Sequence, residues 1–198
     1  MDGLYAIKPW FVRRLRGVED TLVSLRVSAD ALTWAAVGAA AGAGVAIVAG
    51  TGAPLLWLAV APLALTRIAL NALDGSVARR TGTARPSGAL LNEASDRIAD
   101  ALFLVPLAWV AGPALALAAL AATLLASLAG VLSQALTGTR DHGGPMGKAD
   151  RMLVLGVASL VAPMQPRAWT VAAIAVASGA LITAAARVTR IRRRLADV

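Results

Sequence analysis

The 198-residue chain has no cysteine and one histidine. Without cysteine there are no disulfides, no thiol catalysis and no cysteine-bound metal. A single histidine rules out a histidine-cluster metal site and leaves His142 as a solvated loop residue. Charge is also scarce. Charged residues make up 15% of the chain against 58% hydrophobic, with a mean hydropathy of +0.71. A soluble domain of this size would carry more charge. No soluble face combines basic and aromatic residues, so nucleic acid is not an expected partner. No internal repeat of fixed period is visible. The basic residues Arg13, Arg14 and Arg16 do not lead straight into the short apolar core and cleavage site of a signal peptide.

The apolar residues are gathered into runs. Six stretches predict membrane-crossing helices: Leu32–Gly50, Leu55–Leu73, Gly88–Val110, Ala114–Leu136, Arg151–Ala162 and Trp169–Val188. Most approach the ~20 residues that a bilayer requires. The fifth is short and is expected to begin before Arg151. Abundant Gly and Ala in these runs permit close helix packing. Ahead of them, residues 1–30 read as an amphipathic interfacial segment. Trp10, Phe11, Leu15, Val18, Leu22 and Leu25 recur at helical spacing, with Lys8, Arg13, Arg14, Arg16 and Arg26 between them. The expected fold class is therefore all-α: a polytopic membrane protein with an amphipathic helix (1–30) before one six-helix domain (31–198).

Basic residues orient these helices. With both termini cytoplasmic, sixteen of the nineteen Lys and Arg residues fall in inner segments and only Arg167 falls in an outer loop. Arg67 and Arg97 lie within spans. The net charge of +8 also favours anionic lipid.

Against this apolar background, NALDGSVARRTGTARPSGALLNEASDRIAD (residues 71–100) is conspicuous. A charge at membrane depth costs roughly 2.5–3.5 kcal/mol on insertion scales. Asn71 and Asp74 are three apart near the end of one helix, and Asn92 and Asp96 are four apart near the start of the next. Each pair shares a helical face, and a hairpin would make the four oxygen-bearing side chains converge. Such oxygens suit a hard cation such as Mg²⁺. Gly75, Gly82 and Gly88 allow close backbone approach to a ligand. Arg79, Arg80 and Arg85 supply fixed positive charge suited to a diphosphate, although the orientation rule alone also predicts these arginines.

The stretch resembles the signature of the CDP-alcohol phosphotransferase family, Asp-x-x-Asp-Gly-x-x-Ala-Arg followed after about eight residues by Gly-x-x-x-Asp-x-x-x-Asp. Asp74, Gly75, Ala78, Arg79, Gly88 and Asp96 match it, and Arg97 follows as the basic residue often found there. The resemblance extends to the layout of an amphipathic helix and six spans. It implies Mg²⁺ or Mn²⁺ at Asn71, Asp74, Asn92 and Asp96, with Asp96 also the general base. It implies a CDP-linked lipid donor at Asp74, Gly75, Ala78, Arg79 and Gly88, an alcohol acceptor, membrane lipids as surroundings, and a homodimer. The chain departs from the signature at Asn71 and Asn92, where the family has aspartates. Two charges are lost, metal binding should weaken, and Glu93 and Asp100 are the carboxylates placed to compensate.

A second polar stretch, TRDHGGPMGKADR (139–151), lies on the same side of the membrane. Lys148 and Arg151 share a face at the entrance to the fifth span. With Arg67, one turn before Asn71, they are the candidate acceptor-binding residues and suit an acceptor that carries phosphate. The function expected is transfer of a phosphatidyl or related phospho-alcohol group from a CDP-linked donor to an alcohol in phospholipid biosynthesis, with release of CMP. The site would be cytoplasmic, in the cell membrane. The alternatives are a catalytically altered relative that binds nucleotide or lipid, favoured by the two asparagines, and a small membrane transporter.

Overall fold

The computed structural model describes residues 13–196, and among these every regular element is helical. Trp10, Phe11 and Lys8 of the expected amphipathic segment lie outside the described residues. Within them the segment is a short helix, α1 (Arg16–Ser24), followed by a reversal through Arg26 at φ 54°. Ser28 then caps α2 (Ala29–Ala49), its hydroxyl oxygen accepting from the Ala31 amide at 3.2 Å.

The outer turn after α2 is closed by an indole. Trp57 donates from Nε1 to the Ile47 carbonyl at 2.9 Å, satisfying an orphan acceptor at the helix end. Its ring lies so close to Gly50 that a Cβ there would fall 2.1 Å from it. A 3-10 segment (Pro54–Ala59) leads into α3 (Val60–Arg80). Gly82, at φ 68°, ends α3 in a Schellman motif, with Thr83 N–H donating to the Ala78 carbonyl at 3.0 Å. Thus Gly82, expected to approach a ligand, instead stops the helix.

α4 (Pro86–Leu104) starts on a proline, which lacks only an amide that would be unpaired there. The expected span Gly88–Val110 is not one helix. It breaks at Val105–Pro106 and resumes as α5 (Leu107–Val110), because Pro106 can neither donate nor accommodate the preceding turn. α6 (Pro113–Thr137) ends at Gly138 in the left-handed region, α7 (Lys148–Val161) begins three residues before Arg151, and α8 (Ala168–Ala196) runs past Val188.

Four segments are long and apolar enough to cross a membrane: Ala29–Ala49, Pro54–Arg80, Pro113–Thr137 and Ala168–Ala196. The chain is a multi-pass membrane protein. α4 carries Glu93, Asp96, Arg97 and Asp100, and the 14 residues of α7 rise only about 21 Å at 1.5 Å each. Both also expose apolar side chains, Leu90 and Ile98 on α4 and Leu153, Val157 and Leu160 on α7. α3 packs on α2 and α7, α4 on α2 and α6, and α6 on α8. Small residues make the packing possible. A Cβ on Gly44 of α2 would lie 2.4 Å from the Leu102 carbonyl of α4, and Ala40, Ala43, Ala119, Ala122 and Ala173 are buried. Leu117, Leu125, Leu128 and Ile182 point outward, the disposition expected of a lipid-facing surface.

Candidate active site

α3 and α4 both lean on α2 and present polar faces that meet through side chains. Asn71 Nδ2 donates to Asn92 Oδ1 at 2.8 Å and to Asp96 Oδ1 at 3.3 Å. The i,i+3 and i,i+4 spacings thus do place these residues together. Asp74 lies on the same face of α3, close enough for Asp96 and Lys148 to act on its charge.

Asp96 is buried and crowded by cations. Lys148 Nζ reaches its two carboxylate oxygens at 2.6 and 2.5 Å and also donates to Asn71 Oδ1. Arg67 Nη2 lies 3.4 Å from Asp96 Oδ1, and Arg97 Nη2 lies 4.0 Å from Oδ2. Arg67 is 1% exposed, and its Nε and Nη1 find no partner among the described residues.

Asp74 is buried too, but differently. Thr33 of α2 donates its hydroxyl to Oδ2 at 2.9 Å, and the Gly75 amide donates to Oδ1 at 2.5 Å. No salt bridge among the described residues reaches it. Beside it, a Cβ on Gly75 would lie 3.3 Å from the Arg79 guanidinium, so the glycine leaves room for that side chain to fold back. Arg79 is exposed and forms no ion pair among the described residues. Ala78 is half-buried on the same turn. Gly88 starts the facing helix, where a Cβ would meet only Arg85 Cγ at 3.7 Å. Its lack of a side chain is not demanded by the protein's own packing.

The other two arginines of the loop are engaged. Arg80 pairs with Asp20 at 2.6 Å and Glu19 at 3.5 Å, and Arg85 with Asp30 at 2.6 Å. They tie the α3–α4 connection to α1 and the start of α2. Only Arg79 of the three expected diphosphate ligands is left uncommitted. Nor are the two candidate compensating carboxylates idle. Glu93 pairs with Arg140 at 2.7 Å and Arg97 at 3.5 Å, and Asp100, fully buried, takes both oxygens to Arg151 Nη2 at 3.1 and 3.0 Å.

The 139–147 loop is strapped to α8. Arg187 donates to the carbonyls of Ala126, His142 and Gly143, and Arg190 Nε to Asp141 at 2.6 Å. Burial pushes the Asp141 carboxyl up. The bonds from Arg190 and the Gly143 amide, with the nearby charge of Arg190 and Arg187, outweigh burial and hold it below the usual aspartate value. The strap sets where α7 begins, and hence where Lys148 and Arg151 enter the cleft.

Two residues of the site carry no signal in the sequence. Thr33 is a lone hydroxyl in an apolar helix. Glu19, buried in α1, accepts from Ser76 at 2.6 Å and looks like any acid of an amphipathic face.

Among the described residues no group of three or more His, Cys, Asp or Glu is arranged to hold a metal. The donors that do converge are two carboxylates and two carboxamides, all hard oxygen ligands. Asp74 fits a divalent cation best, being a buried carboxylate with no salt bridge among the described residues.

No family model matches the chain. It is 33% identical over 180 residues to the inner membrane protein YnbA of Escherichia coli (strain K12), an alignment covering 86% of this chain and 89% of YnbA. Among solved structures it is similar to the phosphatidylinositol phosphate synthase PgsA1 of Mycobacterium tuberculosis. With CDP-DAG bound, that enzyme superposes with a TM-score of 0.74 at 21% identity, over 90% of this chain and 94% of PgsA1. Its complex with manganese and citrate gives 0.74 at 21%, over 88% and 87%. At this identity the likeness is one of fold.

Proposed function

We propose that this chain, which belongs to one family with the Escherichia coli inner membrane protein YnbA and shares the fold of PgsA1, is a CDP-alcohol phosphotransferase. It moves a phosphatidyl or related phospho-alcohol group from a CDP-linked lipid to an alcohol, in phospholipid synthesis. The observation that carries this reading is the polar side-chain cluster where α3 faces α4. Asn71, Asp74, Asn92 and Asp96 gather beside an uncommitted Arg79 and a bare Gly88, on a fold that in PgsA1 was solved with CDP-DAG bound.

The geometry supports a division of roles. The donor's diphosphate lies along Asp74, Gly75, Ala78, Arg79 and Gly88, where positive charge is unspent and backbone is open. A divalent ion, Mg²⁺ or Mn²⁺, would be held at Asp74 and would supply charge neutralisation on the diphosphate. PgsA1 was solved with manganese. Asp96 accepts the proton of the acceptor hydroxyl. Lys148 holds both Asp96 oxygens, so the hydroxyl takes one of them while the ammonium keeps the other and fixes the carboxylate's aim. The acceptor oxygen then bonds to the phosphorus distal to cytidine, and the bond from that phosphorus to the CMP oxygen breaks. Lys148, Arg151 and the unpartnered nitrogens of Arg67 make the acceptor side cationic, which suits an alcohol that itself carries phosphate.

The site belongs on the cytoplasmic side with both termini, in a six-span domain in which α4–α5 and α7 also cross, and the protein is a homodimer. Thr83→Cys tests the orientation cleanly, since there is no native cysteine. Labelling of that residue only from the periplasmic or extracellular face overturns it. The activity is tested by CMP release from CDP-diacylglycerol by purified protein with Mg²⁺ or Mn²⁺ across a panel of free and phosphorylated alcohols. At least one acceptor should yield CMP and a new phospholipid in equal amounts. Donor binding without turnover on any acceptor supports a non-catalytic relative instead, and absence of donor binding removes the reading altogether.

A further inference from the structure

A cation is already seated at one end of the cleft. Lys148 Nζ bonds both oxygens of Asp96 and the carbonyl oxygen of Asn71. We propose that Lys148 is the resident cation of the Asp96 end, and that the cleft therefore holds one divalent ion, at Asp74, and not two. The inference rests on the reading that this cleft takes a divalent ion beside a diphosphate.

The asparagines are what make the arrangement possible. Asn71 turns its NH₂ toward Asp96 and Asn92 and its carbonyl toward Lys148. Amide orientation is an assignment made from partners, and here the partners leave no choice. The flipped amide would set oxygen against the Asp96 carboxylate and NH₂ against an ammonium. A carboxylate at 71 could donate to neither Asp96 nor Asn92 and would face Asp96 with like charge. Asparagine at 71 and lysine at 148 are thus complementary, and Asn92 completes the set as an acceptor.

The position of Lys148 is built, not incidental. It is the first residue of α7, where Asp150 accepts from the Gly147 amide at 2.9 Å and pins the helix start. Three residues on, Arg151 makes the parallel ion pair to Asp100, one turn beyond Asp96 on α4. Two ion pairs in register link α7 to α4, and the packing of α7 on α3 and α8 places the helix that carries the ammonium. A divalent ion bound to Asp96 at this place would have to sit against that ammonium and a guanidinium, which costs more than the one carboxylate returns.

At Asp74 the reverse holds. The carboxylate is 4% exposed, accepts only from a hydroxyl and an amide, and has no salt bridge among the described residues. A buried carboxylate without a counter-charge is unfavourable, and a divalent ion relieves it.

The test counts ions without turnover. Mn²⁺ alone is titrated into the full chain in detergent, and bound ion is measured by electron paramagnetic resonance. Wild type should bind one Mn²⁺ per chain, Lys148→Arg should still bind one, and Asp74→Asn should lose it. Removing the ammonium while restoring carboxylates, in Lys148→Met with Asn71→Asp and Asn92→Asp, should raise the number to two. Two ions in wild type overturn the proposal, as does a single ion retained in Asp74→Asn. If the triple variant does not fold, the wild-type and Asp74→Asn counts decide. No bound ion in wild type removes this inference and the cofactor reading together. One ion without CMP release on any acceptor strikes only the transferase reading.

Discussion

At one end of the site Asp74 meets a hydroxyl and an amide, and no ion pair among the described residues reaches it. At the other, Asp96 meets an ammonium and two guanidinium groups. Both carboxylates are buried to the same degree, at 4% and 5% exposure. They also belong to the same motif, so burial alone does not distinguish them; their neighbours do. α2 and the first turn after Asp74 offer only neutral donors, while α7 and the upstream turn of α3 bring positive charge to Asp96. In the proposed reading the difference divides the work: the carboxylate without a salt bridge takes the metal and the diphosphate, and the carboxylate gripped by cations is held in place to face the acceptor hydroxyl.

The largest expected effect breaks the Asp96 end. Asp96→Asn removes the proton acceptor, and CMP release should fall by about 10²–10⁴-fold, the range typical of a lost general base. Near-normal release in that variant removes Asp96 from the mechanism.

Next in size is the contrast between arginines of the connecting loop. Arg79 is uncommitted, whereas Arg80 is spent on Asp20 and Glu19. Arg79→Ala should weaken CDP-diacylglycerol affinity by about 10- to 100-fold, as expected for losing a hydrogen bond to a charged group. Arg80→Ala should change it by less than about threefold, since an exposed ion pair contributes little. Equal losses in the two variants would mean that the donor recruits both.

Much of this was legible in the chain and some was not, for a physical reason. Helical spacing reports which side chains share a face, and so the convergence of Asn71, Asn92 and Asp96 could be read from residues 71–100. Spacing says nothing about partners from distant elements. Lys148 arrives at Asp96 from 52 residues away and Thr33 at Asp74 from 41. The face shared by Lys148 and Arg151 marks them as site residues but not as partners of Asp96 and Asp100, and nothing local marks Thr33. The orientation rule groups Arg79, Arg80 and Arg85 on one side but is blind to Asp20 and Asp30, which occupy two of them. Hydropathy sees the apolar run around Pro106 as continuous, although the backbone cannot be.

The smallest effect concerns the strap that positions α7. The Asp141 carboxyl is held below its ordinary value near 3.9. Its contribution to stability is therefore fully present above that value and is lost as pH falls through the lowered one. Asp141→Asn should lower the thermal midpoint by a few degrees at neutral pH, about 1 kcal/mol or less for a partly exposed pair. The gap to wild type should close in strong acid. A gap that does not change with pH would mean that packing of the loop, not the charge on Asp141, holds it to α8.

The contrast between the two carboxylates is tested most directly by equilibrium binding of CDP-diacylglycerol, in the presence of Mn²⁺, to wild type, Asp74→Asn and Asp96→Asn. The account predicts that Asp74→Asn loses most of the donor affinity while Asp96→Asn binds nearly as wild type. Donor affinity lost in Asp96→Asn and kept in Asp74→Asn would contradict it.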